Sequence, residues 1–166
     1  DKSNPFAMVE KGEGCRITGS LEVNKVAGNV HVAHGDSIIR DGRHIHQFVP
    51  QEAPSFNISH TIHSLGFGKQ FAHMKKNPMD GIVRIVSPEI GTGLFQYFVK
   101  IVPTEYSDSW GTYNTNTYTM TERFRPVMLP MISDKKQSQD TTVLPGLFII
   151  YDLSPFLTEV ARKPVP

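Results

Sequence analysis

Between Leu94 and Val102 the chain carries apolar side chains at both parities of a strand. Phe95, Tyr97, Val99 and Ile101 fall on one face, and Leu94, Phe98 and Val102 on the other. A strand exposed on one side alternates apolar with polar residues. This one does not, so it is expected at the centre of a sheet with both faces covered. Pro103 has no N–H to give to a ladder and is expected to end the pairing there.

The rest of the chain punctuates like a β protein. Ile17, Gly19, Leu21 and Val23 alternate with Arg16, Thr18, Ser20 and Glu22, which predicts a half-buried strand over that stretch. Ala27-Gly28-Asn29 turns the chain into a second strand at Val30–Val32. Phe56, Ile58 and Ile62 share one parity with His60, and Ile82–Val86 follows the turn-like Asn77-Pro78-Met79-Asp80-Gly81. Asp108-Ser109-Trp110-Gly111 reads as a hairpin turn into the threonine- and tyrosine-rich run Thr112–Thr121. Ser133–Thr142 is polar throughout and reads as a loop, and Leu147–Leu153 as a last strand. Thr158–Arg162 fits a strand or a turn of helix equally. The fold class expected is mostly β, an antiparallel β-sandwich, in one domain spanning residues 1–166.

Charge excludes one class of partner. The 166 residues carry a formal net charge of +1, and Lys75-Lys76 and Lys135-Lys136 are isolated pairs. No basic stripe tracks a phosphate backbone, so no nucleic acid is expected as a partner. No apolar run reaches the roughly 18 residues a membrane helix needs. The first residue is Asp, with no charged-then-apolar leader, so the chain reads as a soluble piece of something longer. Its single cysteine, Cys15, fits either a buried small hydrophobe or one half of a bridge to sequence elsewhere.

All seven histidines lie between His31 and His73. The metal reading rests on His44-Ile45-His46, which puts two imidazoles on one face of a strand, as in cupin metal sites. Glu52 follows at a longer interval than that motif uses, and the third histidine it wants on a later strand is missing, since none follows His73. His31 and His34 would face opposite ways on a strand, and His60 and His63 would converge only on a helix. No metal site is therefore assigned; His44 and His46 stand as the alternative. The plain reading is scattered surface histidines. A third concerns pH: an unperturbed imidazole titrates near 6.5, where early secretory compartments turn mildly acidic. In a protein resident there, His31, His34, His44, His46, His60, His63 and His73 are the pH-sensing candidates.

Nucleophilic and phosphate chemistry find no support. There is no Gly-x-Ser-x-Gly elbow, Ser64 beside His63 has no third partner, and Leu65-Gly66-Phe67-Gly68-Lys69 has the spacing of neither phosphate loop. No catalytic residue, cofactor-binding residue or cofactor is assigned. Asn57-Ile58-Ser59 is the one glycosylation sequon, meaningful only in a luminal or extracellular protein. Trp110 with Tyr106 and Tyr113 offers either a sugar-stacking platform, hence a glycan-binding sandwich, or a cluster that packs across its own hairpin; packing is preferred.

Four blocks, in order, resemble the luminal region of the ER–Golgi intermediate compartment proteins, the endoplasmic reticulum vesicle transporters. They are Gly14-Cys15-Arg16-Ile17 through Leu21-Glu22-Val23-Asn24-Lys25-Val26-Ala27-Gly28-Asn29; Phe56-Asn57-Ile58-Ser59-His60 with Leu65-Gly66-Phe67-Gly68 and Asn77-Pro78-Met79-Asp80-Gly81; Phe95 through Tyr106; and Leu144-Pro145-Gly146-Leu147-Phe148 with Tyr151-Asp152-Leu153-Ser154-Pro155. The first and third look most like member 3. His31–Pro54 and Arg125–Thr142 match poorly, so histidines there inherit no role. The resemblance implies a β-sandwich in the C-terminal part of a luminal domain, whose first half, rich in cysteine, and whose two membrane helices lie outside this sequence. It also implies a cargo receptor cycling between ER and Golgi in COPII and COPI vesicles, paired with a paralogous subunit, binding cargo proteins and retrieving ER residents. On that resemblance the protein is not an enzyme, and its place is the luminal side of ER, intermediate-compartment and Golgi membranes.

Overall fold

The computed structural model describes residues 14–33, 36–40, 43–47, 57–71, 74–87, 90, 92–109, 111–126 and 145–161, with backbone alone at 36–40 and 43–47. Nine strands are present among them and no helix: β1 (Gly28–Ala33), β2 (Asp36–Arg40), β3 (Arg43–Gln47), β4 (His60–Ile62), β5 (Ile82–Arg84), β6 (Gly93–Asp108), β7 (Gly111–Pro126), β8 (Gly146–Leu153) and β9 (Thr158–Ala161). The main sheet runs β1-β8-β6-β7, with β9 also on β6; β2–β3 and β4–β5 are separate antiparallel pairs. The mostly-β expectation holds. The main sheet is mixed, because β6 pairs with β8 and β9 in parallel and with β7 in antiparallel register.

The core lies on one face of this sheet. Phe95, Tyr97, Val99 and Ile101 of β6 are buried there, and the register sets Leu147, Ile149, Tyr151 and Leu153 of β8 beside them. Tyr118, Met120 and Phe124 of β7 extend the same face. Over it lie β4, β5 and the chain that joins them, contributing Ile58, Met79 and Val86 as buried residues and Ile62, Leu65 and Phe67 as half-buried ones. Two layers thus enclose an aromatic core, consistent with a sandwich. Each large side chain buried this way stabilises the fold by about 1.5–3 kcal/mol relative to exposure.

Three details depart from the sequence expectations. β6 is central, with β7 and β8 on its two sides, but its outer face is covered only in part: Leu94 is buried there, while Phe98 is 41% exposed and Lys100 pairs with Asp152 in solvent. Pro103 does not end the strand, which continues to Asp108. Ile101 C=O accepts from Ser154 N–H at 2.7 Å, so Pro103, two residues on, turns its nitrogen to the same edge. That edge is vacant of strand there, because β8 ends at Leu153 and β9 starts at Thr158, so the missing N–H costs no ladder bond.

The third departure is the predicted strand over residues 16–23. Residues 14–27 form no strand, and Ile17, Leu21, Val23 and Val26 are 53–74% exposed. Alternation alone does not make a strand: a ladder partner must satisfy the backbone. No partner strand lies beside this segment among the described residues. Cys15, in the same stretch, is exposed rather than buried.

The chain bends earlier than expected, at Lys25-Val26, so that Gly28 and Asn29 already belong to β1, and β5 stops at Arg84 rather than Val86. β1 starts at Gly28, and its Gly28 faces Tyr151 so closely that a Cβ would sit 2.4 Å from the phenol oxygen. The turn before β5 is closed by Asp80 N–H to Asn77 C=O at 3.1 Å, with Gly81 at φ +78°. The β6–β7 hairpin turns where predicted, pairing Asp108 with Gly111. Thr158–Ala161 resolves as strand, held parallel to Thr104–Ser107 of β6. The predicted loop at Ser133–Thr142 lies outside the described residues.

Candidate functional site

Alternation in β4 decides where His60 points. Ile58, His60 and Ile62 face inward, so the imidazole enters the gap between the small sheet and β6. Its Nδ1 lies 2.8 Å from Ile58 C=O. A carbonyl only accepts, so Nδ1 carries the proton and Nε2 presents its lone pair. Tyr97 Oη, 2.7 Å away, donates to that lone pair. The ring stands edge-on to both Tyr97 (88°) and Phe95 (80°), whose centroids are 5.7 and 4.9 Å distant.

Burial pushes the His60 imidazole below its ordinary pKa, against the pull of the Ile58 carbonyl, and the nearby Arg84 guanidinium adds to the lowering while Glu122 opposes it. Burial likewise pushes Tyr97 up to about 12. The pair therefore stands neutral near pH 7, with one phenolic proton shared into Nε2. A proton added at Nε2 would meet a phenol already oriented as donor.

Arg84 and Glu122 flank this pair. Arg84 sits opposite His60 in the β4–β5 register, and Glu122 opposite Tyr97 in the β6–β7 register. The guanidinium grips the carboxylate through Nη2–Oε2 at 2.7 Å and Nε at 3.0–3.1 Å. Both side chains are about one-third exposed (33% and 38%), so the pair contributes little stability. Its effect is geometric: it ties β5 to β7 beside the His60–Tyr97 bond.

Neither His31 nor His63 joins this cluster. His31 sits on the opposite parity of β1, stacked on Phe148 with centroids 3.6 Å apart. His63 is exposed beyond β4. His44 and His46 occupy β3 opposite Ile39 and Ser37, with side chains outside the described residues; His34 and His73 lie outside them entirely. Among the described residues no three His, Cys, Asp or Glu side chains are grouped to hold a metal. Tyr106 and Tyr113 face each other across the hairpin, and Tyr113 packs on Phe71 at 4.6 Å, as packing predicts; Trp110 lies outside the described residues.

A groove of about 500 Å³ opens at the far end of the core. Leu21 and Val23 of the extended segment form one wall, Phe67 and Thr115 another, and Ile101 and Leu153 the floor. Nothing in the sequence marked it, because its walls come from five separate stretches. The parity shared by Ile58, His60 and Ile62 was the signal for the His60 site; Arg84 and Glu122 carried none.

Layered sheets around an aromatic core, with a groove at one end, define an all-β fold. The chain belongs to the endoplasmic reticulum vesicle transporter family, whose model matches residues 2–165. It is 42% identical over 155 residues to the probable endoplasmic reticulum–Golgi intermediate compartment protein 3 of Dictyostelium discoideum, covering 93% of this chain and 38% of that protein. It is 34% identical over 152 residues to the endoplasmic reticulum–Golgi intermediate compartment protein 2 of Homo sapiens, covering 92% and 37%. The crystal structure of Erv41p superposes with a TM-score of 0.60 at 20% identity, over 87% of this chain and 57% of that one, a likeness of fold. The chain thus spans a little over a third of the length of the curated relatives it matches. Membership places it among the proteins of ER–Golgi vesicle transport.

Proposed function

We propose that the chain is part of the luminal domain, its C-terminal part, of a membrane-embedded cargo receptor that cycles between ER and Golgi in COPII- and COPI-coated vesicles. It sorts or retrieves ER proteins and works as a hetero-oligomer with a paralogous subunit, without catalysing a reaction. The family match over residues 2–165 carries this reading. The groove beside Leu21, Val23 and Leu153 supports it as a surface suited to polypeptide. A pH corollary attaches to His60, whose half-buried imidazole must take up charge against its burial, and reverse the direction of its Tyr97 bond, when protonated.

The test uses the full-length protein in sealed microsomes. Protease added outside should leave the region around residues 14–161 intact, and vesicles budded with purified coat proteins should carry the protein. Cleavage within β6–β8 in sealed microsomes, or absence from budded vesicles, overturns the reading.

A further inference from the structure

The outward face of the small sheet carries two exposed apolar side chains among its polar ones. In β4 and β5 the inward parity holds Ile58, His60, Ile62, Ile82, Arg84 and Val86, and the outward parity holds Asn57, Ser59, Thr61, Val83 and Ile85. Ile85 is 82% exposed and Val83 52%. Continuing the register from His60↔Arg84 sets Ile85 opposite Ser59, with Val83 opposite Thr61. The sequon Asn57-Ile58-Ser59 therefore lies along the same strip as the two exposed apolar side chains.

The sequon is also anchored. Asn57 Oδ1 accepts from Ser59 N–H at 2.8 Å, Ser59 Oγ accepts from Val86 N–H at 2.8 Å, and Asn57 Nδ2 donates to Val86 C=O at 3.4 Å. The amide nitrogen carries two hydrogens, and only one is aimed at Val86. The other is free for substitution, and Asn57 is exposed while the intervening Ile58 is 6% exposed. A sugar on Nδ2 can thus keep the Val86 bond and is held at the edge of the strip.

We propose that Asn57 is an N-glycosylation site whose glycan covers the exposed Val83–Ile85 strip. The transfer forms an Nδ2–C1 bond to the first N-acetylglucosamine and breaks the C1–O bond of a lipid-linked oligosaccharide diphosphate, which leaves with its diphosphate. One amide proton is lost to base. The apolar faces of the first sugar rings then lie over Ile85 and Val83, while their hydroxyls face water. An otherwise exposed apolar edge of this kind invites association. The inference rests on the luminal reading above, because only luminal sequence meets the transferase.

The test expresses the full-length protein in a cell that N-glycosylates. Asn57→Gln and Ser59→Ala should each run one glycan lighter than wild type, amidase treatment should remove that difference, and Ser59→Thr should match wild type. Val26→Thr serves as the control, since it makes the exposed Asn24-Lys25 stretch a second acceptor. A glycan on Val26→Thr at Asn24 with none at Asn57 overturns this inference and leaves the luminal reading standing. A glycan at neither site overturns the luminal reading, and the inference with it. Amidase-treated folded protein should bind more apolar dye than the glycosylated form, and Ile85→Thr should abolish that increase. Equal dye binding before and after treatment overturns the covering role.

Discussion

His60 and Tyr97 meet through a 2.7 Å hydrogen bond that joins the small sheet to the central strand of the large one, 37 residues apart in sequence. The carbonyl of Ile58 fixes the tautomer, so Tyr97 donates here to an unprotonated Nε2. Burial keeps the folded-state pKa below 6.5, which means the unfolded chain takes up the proton first as pH falls. The stability this contributes is complete above about pH 6.5 and is lost as pH drops through the folded-state value. Thermal melts should therefore fall from neutral to mildly acidic pH. His60→Gln should flatten that dependence; an unchanged slope in the variant would refute the assignment. Asp152, whose pKa is lowered from 3.8 by its bond from Lys100, acts only at lower pH and does not confuse the window.

Two tyrosines differ in how much they hold. Tyr97→Phe removes one donor and leaves His60 Nε2 half-buried and unsatisfied, at a cost of about 1–3 kcal/mol. Tyr118 Oη donates to Leu65 C=O at 2.8 Å and accepts from the buried N–H of Met79 at 3.2 Å. Tyr118→Phe leaves both groups without that partner, so it should cost more than Tyr97→Phe. Urea denaturation of both variants decides this; a smaller loss for Tyr118→Phe sinks the ranking.

Gly146 opens β8 where main chains crowd. A Cβ there would lie 2.7 Å from Val32 C=O and 3.2 Å from His31 Nε2, with φ at +157°. Backbone cannot give way as a side-chain tip can, so Gly146→Ala should destabilise by about 2 kcal/mol. Gly14→Ala, with nothing within 4 Å, is the matched control and should stay within about 0.5 kcal/mol. Equal denaturation midpoints for the two variants would refute the close approach.

Period-2 patterning located β6, β7, β8 and the β4–β5 pair, because side-chain parity is written residue by residue. It failed at residues 16–23, where the pattern was present and the ladder partner was not. It also failed at Pro103. Whether a missing N–H matters depends on what lies across the edge, and that is decided by where β8 stops and β9 begins. Parity placed His60 among core residues, but the Tyr97 bond joins positions 37 apart, a distance no local pattern reports. The groove was invisible for the same reason.

The mixed pairing of β6 also orders assembly in time. Its bond to β7 closes across the two residues between Asp108 and Gly111, the least costly loop in the main sheet. β8 must return across residues 127–145 to lie parallel on the other edge, and β1 must reach β8 from more than a hundred residues upstream. Contacts of that separation are slow to nucleate. Folding by the lowest-entropy route starts with the β6–β7 hairpin and finishes with β1. A newly made hairpin thus exposes its inner face of Phe95, Tyr97 and Val99 until β4, β5 and the chain between them close over it.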